Sequence, residues 1–234
     1  MTNECEAVRE RYERRKNCVE GDRYSLLRPE VWQGVQERQR VMLRLFARNL
    51  GWQNLANLKL TEVGCGNGGN LLEFLRLGFP PQNLCGIELL PERAAAAHRC
   101  LPVELLVHAG DANSVDIGAE SQDVVFQSVV FSSVLDNGFQ HDLANRMWKW
   151  VKPCGGVLWY DFVYNNPSNP DVRGVPVKRV RQLFPTGKMI VRRVTLAPPI
   201  SRRVTRVHPF LYNVFNFFPF LRTHVLCWIQ KPPF

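Results

Sequence analysis

The spacing of apolar and polar positions changes twice along the chain, and each change marks a different kind of element. Residues 1–50 read as helical. Glu6 to Val19 is densely charged, a break follows at Gly21, Tyr24 and Pro29, and VWQGVQERQRVMLRLFARNLG then carries apolar Val31, Val35, Val41, Leu43 and Leu45 before Gly51. Recurrence at three- to four-residue intervals predicts a helix with one buried face. From residue 58, short apolar runs replace that period. LKLTEV (58–63), LCGIEL (84–89), LLVHAG (105–110), DVVFQSVVF (123–131) and GVLWYDFV (156–163) predict five strands, separated by helices over Asn70–Leu77, Pro91–Arg99 and LANRMWKWV (143–151). Such alternation predicts an α/β fold, a mostly parallel sheet covered on both faces, with runs as apolar as VVFQSVVF at its centre.

Beyond Tyr164 the pattern loosens. It predicts an Asn/Pro-rich loop NNPSNP (165–170), a short basic helix KRVRQLF, a sixth strand KMIVRRVTL, a Pro- and aromatic-rich insert (APPISRRVTRVHPFLYNVFNFFPF) and a last strand THVLCWIQ. We read 1–234 as a single domain with a helical N-terminal cap over 1–50 and basic, aromatic substrate-side insertions over 165–220.

Charge changes this picture more than composition does. The 45% hydrophobic content is ordinary for a globular protein and excludes a disordered chain. The net charge of +9, however, is unevenly placed: the first 171 residues hold 18 basic and 21 acidic side chains, whereas 172–234 hold 12 Lys and Arg and no Asp or Glu. That asymmetry points to an anionic partner, such as a phosphate-bearing sugar or glycan, a membrane surface or, less favoured, nucleic acid. The seven cysteines form no CxxC pair, so free thiols are expected rather than a zinc site or disulfide framework. No run is long enough to span a membrane and MTNECEAVRERYERR lacks a signal core, so a cytoplasmic location is expected. The sequence leaves the oligomeric state open.

The candidate chemistry centres on TEVGCGNGGN (61–70), between a predicted strand and helix. Gly64, Gly66 and Gly68, around Cys65, let the backbone turn tightly against a ligand, and the following helix start offers free N–H groups. Three carboxylates select the ligand. Glu62 can meet an ammonium but repels a pyrophosphate, Glu88 can accept from both hydroxyls of a ribose, and Asp111 can accept from an adenine amine. A dinucleotide oxidoreductase, which Gly64-x-Gly66-x-x-Gly69 would also suit, is the alternative. S-adenosylmethionine has the amine, the ribose and the adenine and lacks the phosphate.

In TEVGCGNGG, CGIELLPER, HAGDA, SQDVVFQSVVFSSV and WKWVKPCGGVLWYD, over residues 58–164, the chain resembles the class I S-adenosylmethionine-dependent methyltransferases. The resemblance implies a Rossmann-like sheet of seven strands, the last antiparallel and matched by THVLCWIQ. It implies that Glu62, Gly64, Gly66 and Asn70 surround the methionine end, Glu88 holds the ribose, Leu89 flanks the adenine, and Asp111 with the backbone of Ala112 reads its edge. Gln127 and Phe131 would lie beside the methionine and sulfonium, and Tyr24 with the N-terminal helix would form a lid. Glu62 stands where Asp is commoner. The tail beyond Asn165 resembles only looser relatives, associated with bacterial glycan and lipopolysaccharide clusters.

Methyl transfer to a hydroxyl benefits from a general base. Candidates, in order, are Asp161 at the end of the fifth strand, His224 opening the last strand, and His141; His208 is weaker. No cluster has convincing metal spacing, Asp136 with Asp161 included, so no metal is expected. The expected activity is O-methylation of a saccharide, lipid-linked glycan or other small hydroxylated metabolite. RNA methylation is the alternative, and a non-catalytic cofactor-binding protein is a third reading.

Overall fold

The computed structural model describes residues 3–18, 24–167 and 169–233; Val19, Gly21 and Ser168 lie outside them. Seven strands form one sheet: β1 (Leu60–Val63), β2 (Leu84–Glu88), β3 (Leu106–Ala109), β4 (Gln122–Ser128), β5 (Val151–Phe162), β6 (Lys188–Leu196) and β7 (Arg222–Gln230). Their spatial order is β3-β2-β1-β4-β5-β7-β6. The first five run parallel, and β7 inserts antiparallel between β5 and β6, pairing Leu158 with Trp228 and Val191 with Cys227. Strand order reverses between β1 and β4, and open sheets bind ligands at the carboxyl edge of such a switch point. Because β7 is inverted, its first residues, Arg222 to His224, arrive at that same edge.

Helices cover both faces. On one, α2 (Pro29–Arg44), α3 (Gly69–Leu77) and α4 (Pro91–Cys100) bury Met42, Phe74 and Ala97 against Leu60, Phe126, Leu158 and Trp228. On the other, α5 (Asn137–Trp150) and α6 (Val177–Leu183) bury Met147, Trp150 and Val180 against Val125, Trp159 and Ile229. Each fully buried large apolar side chain contributes roughly 1.5–3 kcal/mol. Alternation along a strand sends neighbouring residues to opposite faces. Glu62, Ser128, Tyr160 and His224 therefore share the α2 face, whereas Asp161 belongs with Trp159 on the α5 face.

Several boundaries differ from the sequence reading. β4 stops at Ser128, three residues short of Phe131, because Val129 adopts φ 59°, a left-handed conformation unfavourable for a β-branched residue. α5 starts at Asn137 rather than 143, its first turn capped by Asp136 accepting from Phe139 N at 2.6 Å. The aromatic insert folds into α7 (Pro198–Val207) and α8 (Leu211–Asn216). In α2 the buried stripe is Gln33, Glu37 and Met42, while Leu43 is exposed. The apolar period pointed elsewhere because two of those buried residues are polar.

Glu37 has a partner set that explains its burial. One carboxylate oxygen accepts from the Tyr212 hydroxyl at 2.8 Å and from Thr195 N at 3.0 Å, tying α2 to α8 and to the carboxyl end of β6. The α1 helix (Asn3–Cys18) reaches the loops at the carboxyl edge: Glu4 accepts from Leu135 N at 2.8 Å, and Arg93 lies 5.3 Å from the Tyr12 ring. Among the described residues no helix is long and apolar enough to cross a membrane.

Candidate active site

The turn after β1 is built so that only glycine fits. Gly64 has φ 69°, and a Cβ there would stand 2.5 Å from Val130 Cγ2; Gly66 has φ 58°, and its Cβ would meet Arg93 Nη2 at 2.5 Å. The N–H groups of Gly64 and Cys65 both donate to Ile87 O, at 2.7 and 3.0 Å, fastening the turn to β2. Glu88, at the end of β2 and nearly fully buried, accepts from Gly66 N at 2.7 Å and from Leu90 N at 3.0 Å. One carboxylate thus joins the glycine turn to the start of α4, and each oxygen retains a further lone pair. The Cys65 thiol is packed against Gly86, and burial pushes its pKa far up, so it is an inert structural thiol. Leu89 is half-buried beside Glu88, and Asp111 shapes the turn after β3 by accepting from Asn113 N at 2.9 Å, with Ala112 buried next to it.

Glu62 is completely buried on β1. Its Oε1 accepts from Asn70 Nδ2 at 2.6 Å, while Oε2 meets no donor among the described residues. Burial, the dominant cause, raises its pKa to about 8, against the lowering effects of the Asn70 bond and Arg38. A buried carboxylate oxygen without a partner is costly unless a cation meets it. The sequence reading missed the neighbour that organises this group. Arg38 of α2 donates to Asn70 Oδ1 at 2.7 Å and to Glu73 Oε2 at 3.2 Å, and its guanidinium lies 5.1 Å from the Tyr160 ring centroid. No local pattern in VQERQRV distinguishes Arg38 from a solvated arginine.

Beyond Arg38 stand Tyr160 and His224. Their rings stack at 5.1 Å with planes 15° apart, and Phe162 meets the imidazole edge-on at 5.8 Å. Thr223 Oγ1 lies 3.0 Å from His224 Nδ1, whereas Nε2 has no hydrogen-bond partner among the described residues. Burial first, and the positive charge of Arg38 second, lower the His224 pKa to about 4, so the ring is neutral at physiological pH. The Tyr160 hydroxyl is 2.9 Å from Thr195 Oγ1, and Thr195, at φ 64°, is the residue whose N–H is turned to Glu37. The unfavourable Val129 turn closes the same wall, its N–H donating to Tyr160 O at 2.9 Å.

Four of the sequence-predicted residues do not share this face of the sheet, and a fifth, Tyr24, precedes α2. Asp161 is fully buried on the opposite face of β5, accepting from Ser132 N at 3.1 Å and Phe162 N at 2.9 Å. Both oxygens brace the backbone, and burial raises its pKa to about 7. Phe131 is likewise in the core, its ring centroid 4.5 Å from that of Trp159. Gln127 is fully buried, donating to Tyr160 O at 3.3 Å and accepting from Val130 N at 3.0 Å. His141 is exposed on α5, 3.0 Å from Asn145 Nδ2. Tyr24 is largely exposed, and the side chain that α2 lays into the cleft is Arg38. Strand parity sets Asp161 on the α5 face, and Phe131 lies in the short turn after β4: ending a strand says nothing about which face a side chain takes. Replacing Asp161 with Asn sets an amide NH2 against one of its two backbone donors. The variant is expected to lose about 1–3 kcal/mol in a urea unfolding titration, while methyl transfer per folded molecule stays within a few-fold of wild type.

Residues 61–155 match the family model described as a methyltransferase domain. That stretch, from the glycine turn to the start of β5, is thus similar to a methyltransferase domain. The chain shares its fold with an S-adenosylmethionine-dependent methyltransferase from Mesorhizobium loti, at 13% identity and TM-score 0.58, over 80% of this chain and 97% of that one. It is also similar to phosphoethanolamine N-methyltransferase 2 of Haemonchus contortus, solved with S-adenosyl-L-methionine, at 15% identity and TM-score 0.59, over 84% of this chain and 52% of that one. A third likeness is a complex of the Haloferax volcanii Trm112 methyltransferase activator with its methyltransferase partner, at 15% identity and TM-score 0.59, over 88% of this chain and 97% of that one. No curated protein matches the chain by sequence. The seven-stranded order, with β7 inverted, thus agrees with the sequence reading, which also expects S-adenosylmethionine as the cofactor. The residues present suit that cofactor: a glycine cradle, a carboxylate joined to it, and an unpaired buried oxygen for a cation.

Proposed function

We propose that this methyltransferase methylates a hydroxyl of a saccharide, a lipid-linked glycan or another small hydroxylated metabolite, with His224 as general base. The observation that carries the reading is the His224 ring itself. It is neutral, held against Tyr160, without a hydrogen-bond partner at Nε2 among the described residues, and on the sheet face shared with Glu62 and Ser128. S-adenosylmethionine supplies an electrophilic methyl group on a sulfonium. The protein then has to orient a hydroxyl in line with it and receive a proton, and positioning accounts for much of the rate.

In this reading Glu62 Oε2 accepts from the ammonium of the cofactor and Asn70 holds the other oxygen. The turn Gly64–Cys65–Gly66 lets the methionine end approach the backbone. The remaining lone pairs of Glu88 take the ribose hydroxyls, Leu89 packs on the adenine, and Asp111 with the Ala112 N–H reads its edge. Residues 1–50 act as the cap, with Arg38 as its closing contact. The 165–220 insertions border the acceptor.

RNA methylation is the second reading, favoured by the acid-free stretch that holds Arg192, Arg193, Arg202 and Arg203. Incubation with methyl-labelled cofactor and parallel pools of free sugars, lipid-linked glycans and total RNA separates the two. Label is expected in base-stable ether linkages on the sugar-bearing acceptors. Label in RNA alone would replace the first reading by the second.

A further inference from the structure

We infer that the α7–α8 segment docks on an anionic lipid surface. The side chains of Val207, Phe210, Val214, Phe217, Phe218 and Phe220 are all exposed, Phe217 and Phe220 by about three quarters of their surface. The five residues Phe210, Asn213, Val214, Phe217 and Phe218 line one open hollow of about 330 Å³, so the patch is continuous rather than scattered. A soluble surface seldom presents so many aromatic rings together unless something covers them.

Charge identifies the cover. The patch follows directly on Arg202, Arg203 and Arg206 of α7, and no acidic residue occurs after Asp171. Arg203 and Arg206 are exposed, and neither has a carboxylate partner among the described residues. A short basic helix leading into exposed phenylalanines matches the headgroup region of a bilayer, with cations at anionic headgroups and apolar rings at the acyl boundary. Nucleic acid fits less well. Base stacking wants cations interleaved with the rings along a groove, whereas the only polar residue lining this hollow is Asn213. The nearest arginine downstream, Arg222, is occupied by Asn216 O at 2.8 Å and Arg193 O at 3.0 Å.

The fold places this surface at the working edge of the sheet. Phe220 precedes His224 by four residues, and Ala197 N donates to Leu221 O at 2.9 Å, holding the start of α7 beside the entry to β7. Inside the patch the one buried aromatic of α8, Tyr212, bonds Glu37, the residue before Arg38. Docking there would bring a lipid-borne acceptor to the carboxyl edge. That consequence rests on the proposed acceptor class; the docking itself does not.

The test is flotation of the full chain with mixed phosphatidylcholine–phosphatidylglycerol vesicles and with pure phosphatidylcholine vesicles. Cofactor affinity, measured in parallel, reports folding independently. The expected result is binding to the mixed vesicles only. Arg203→Ala with Arg206→Ala should weaken it about thirtyfold, Phe217→Ser with Phe220→Ser at least about tenfold, and cofactor affinity should not change in either. Failure of the cofactor-competent protein to float at low salt overturns the inference. So does flotation that the Phe variant retains in full, a dimer that the Phe variant dissociates, or RNA retention that the Phe variant loses. Flotation without methyl transfer to lipid-linked glycans would leave docking standing and remove the lipid-linked acceptor.

Discussion

Glu62→Gln should lower the affinity for S-adenosylmethionine at least about a hundredfold, the scale of truncating one partner of a buried charge pair, and yet stabilise the cofactor-free protein at pH 8. The two effects have one cause. With its pKa raised from 4.5 to about 8 by burial, the Glu62 carboxyl is largely protonated at neutral pH in the free fold. The sign follows from proton counting. Between about pH 4.5 and 8 the folded state holds a proton that the unfolded chain has released, so this group's stabilising contribution is complete below pH 4.5 and is lost as pH rises through 8. Asp161, raised from 3.8 to about 7, acts in the same direction over the lower part of that window. Wild-type stability should therefore fall as pH is raised from 5 to 8. Glu62→Gln should remove only its own share and leave the Asp161 slope. Bringing an ammonium to Oε2 reverses the preference and expels the proton. Calorimetry at pH 7 in two buffers of different ionisation enthalpy should show proton release on cofactor binding in the wild type and none from this site in the variant. Equal affinity in the two proteins would remove Glu62 from the cofactor site.

His224→Ala should reduce kcat by about a hundredfold to ten-thousandfold, the span of general-base catalysis, with little change in cofactor affinity, because the ring contacts Tyr160, Phe162 and Thr223 rather than the glycine turn. The pH profile separates this from a packing loss. His224 stays neutral down to about pH 4, so kcat should hold on acidification until that region. By contrast kcat/KM for the cofactor should fall below about pH 8, where free-enzyme Glu62 takes up its proton. His224→Gln, which preserves shape and polarity but not basicity, should be as slow as the alanine variant. A fast Gln variant would assign the ring a packing role and overturn the base.

Much of the scaffold was legible because it rests on local physics. Buried parallel strands must be apolar on both sides, so VVFQSVVF announced a central strand, and a backbone forced to positive φ against Val130 and Arg93 announced Gly64 and Gly66. Glu62, Glu88 and Asp111 stood out because three carboxylates recur at or just beyond the ends of successive strands around one glycine turn. The sixth strand, KMIVRRVTL, agrees with β6 at both ends.

The acceptor side was not legible, because it depends on contacts between distant segments. Whether Asp161 or Tyr160 faces the cleft is settled by which of two helix layers covers each side of β5, and a strand's parity is invisible until those layers pack. Arg38 matters because α2 packs over β6 and β7, which brings its guanidinium to Asn70 of α3 and Tyr160 of β5. His224 is a neutral ring because burial and a neighbouring cation make it one. On its own the sequence determined the order of the elements and the glycine turn, since both depend on residues a few positions apart. Tertiary structure alone decided which side chains reach the reacting face. Burial, face and pKa are properties of packing between segments up to 186 residues apart, as Arg38 and His224 are.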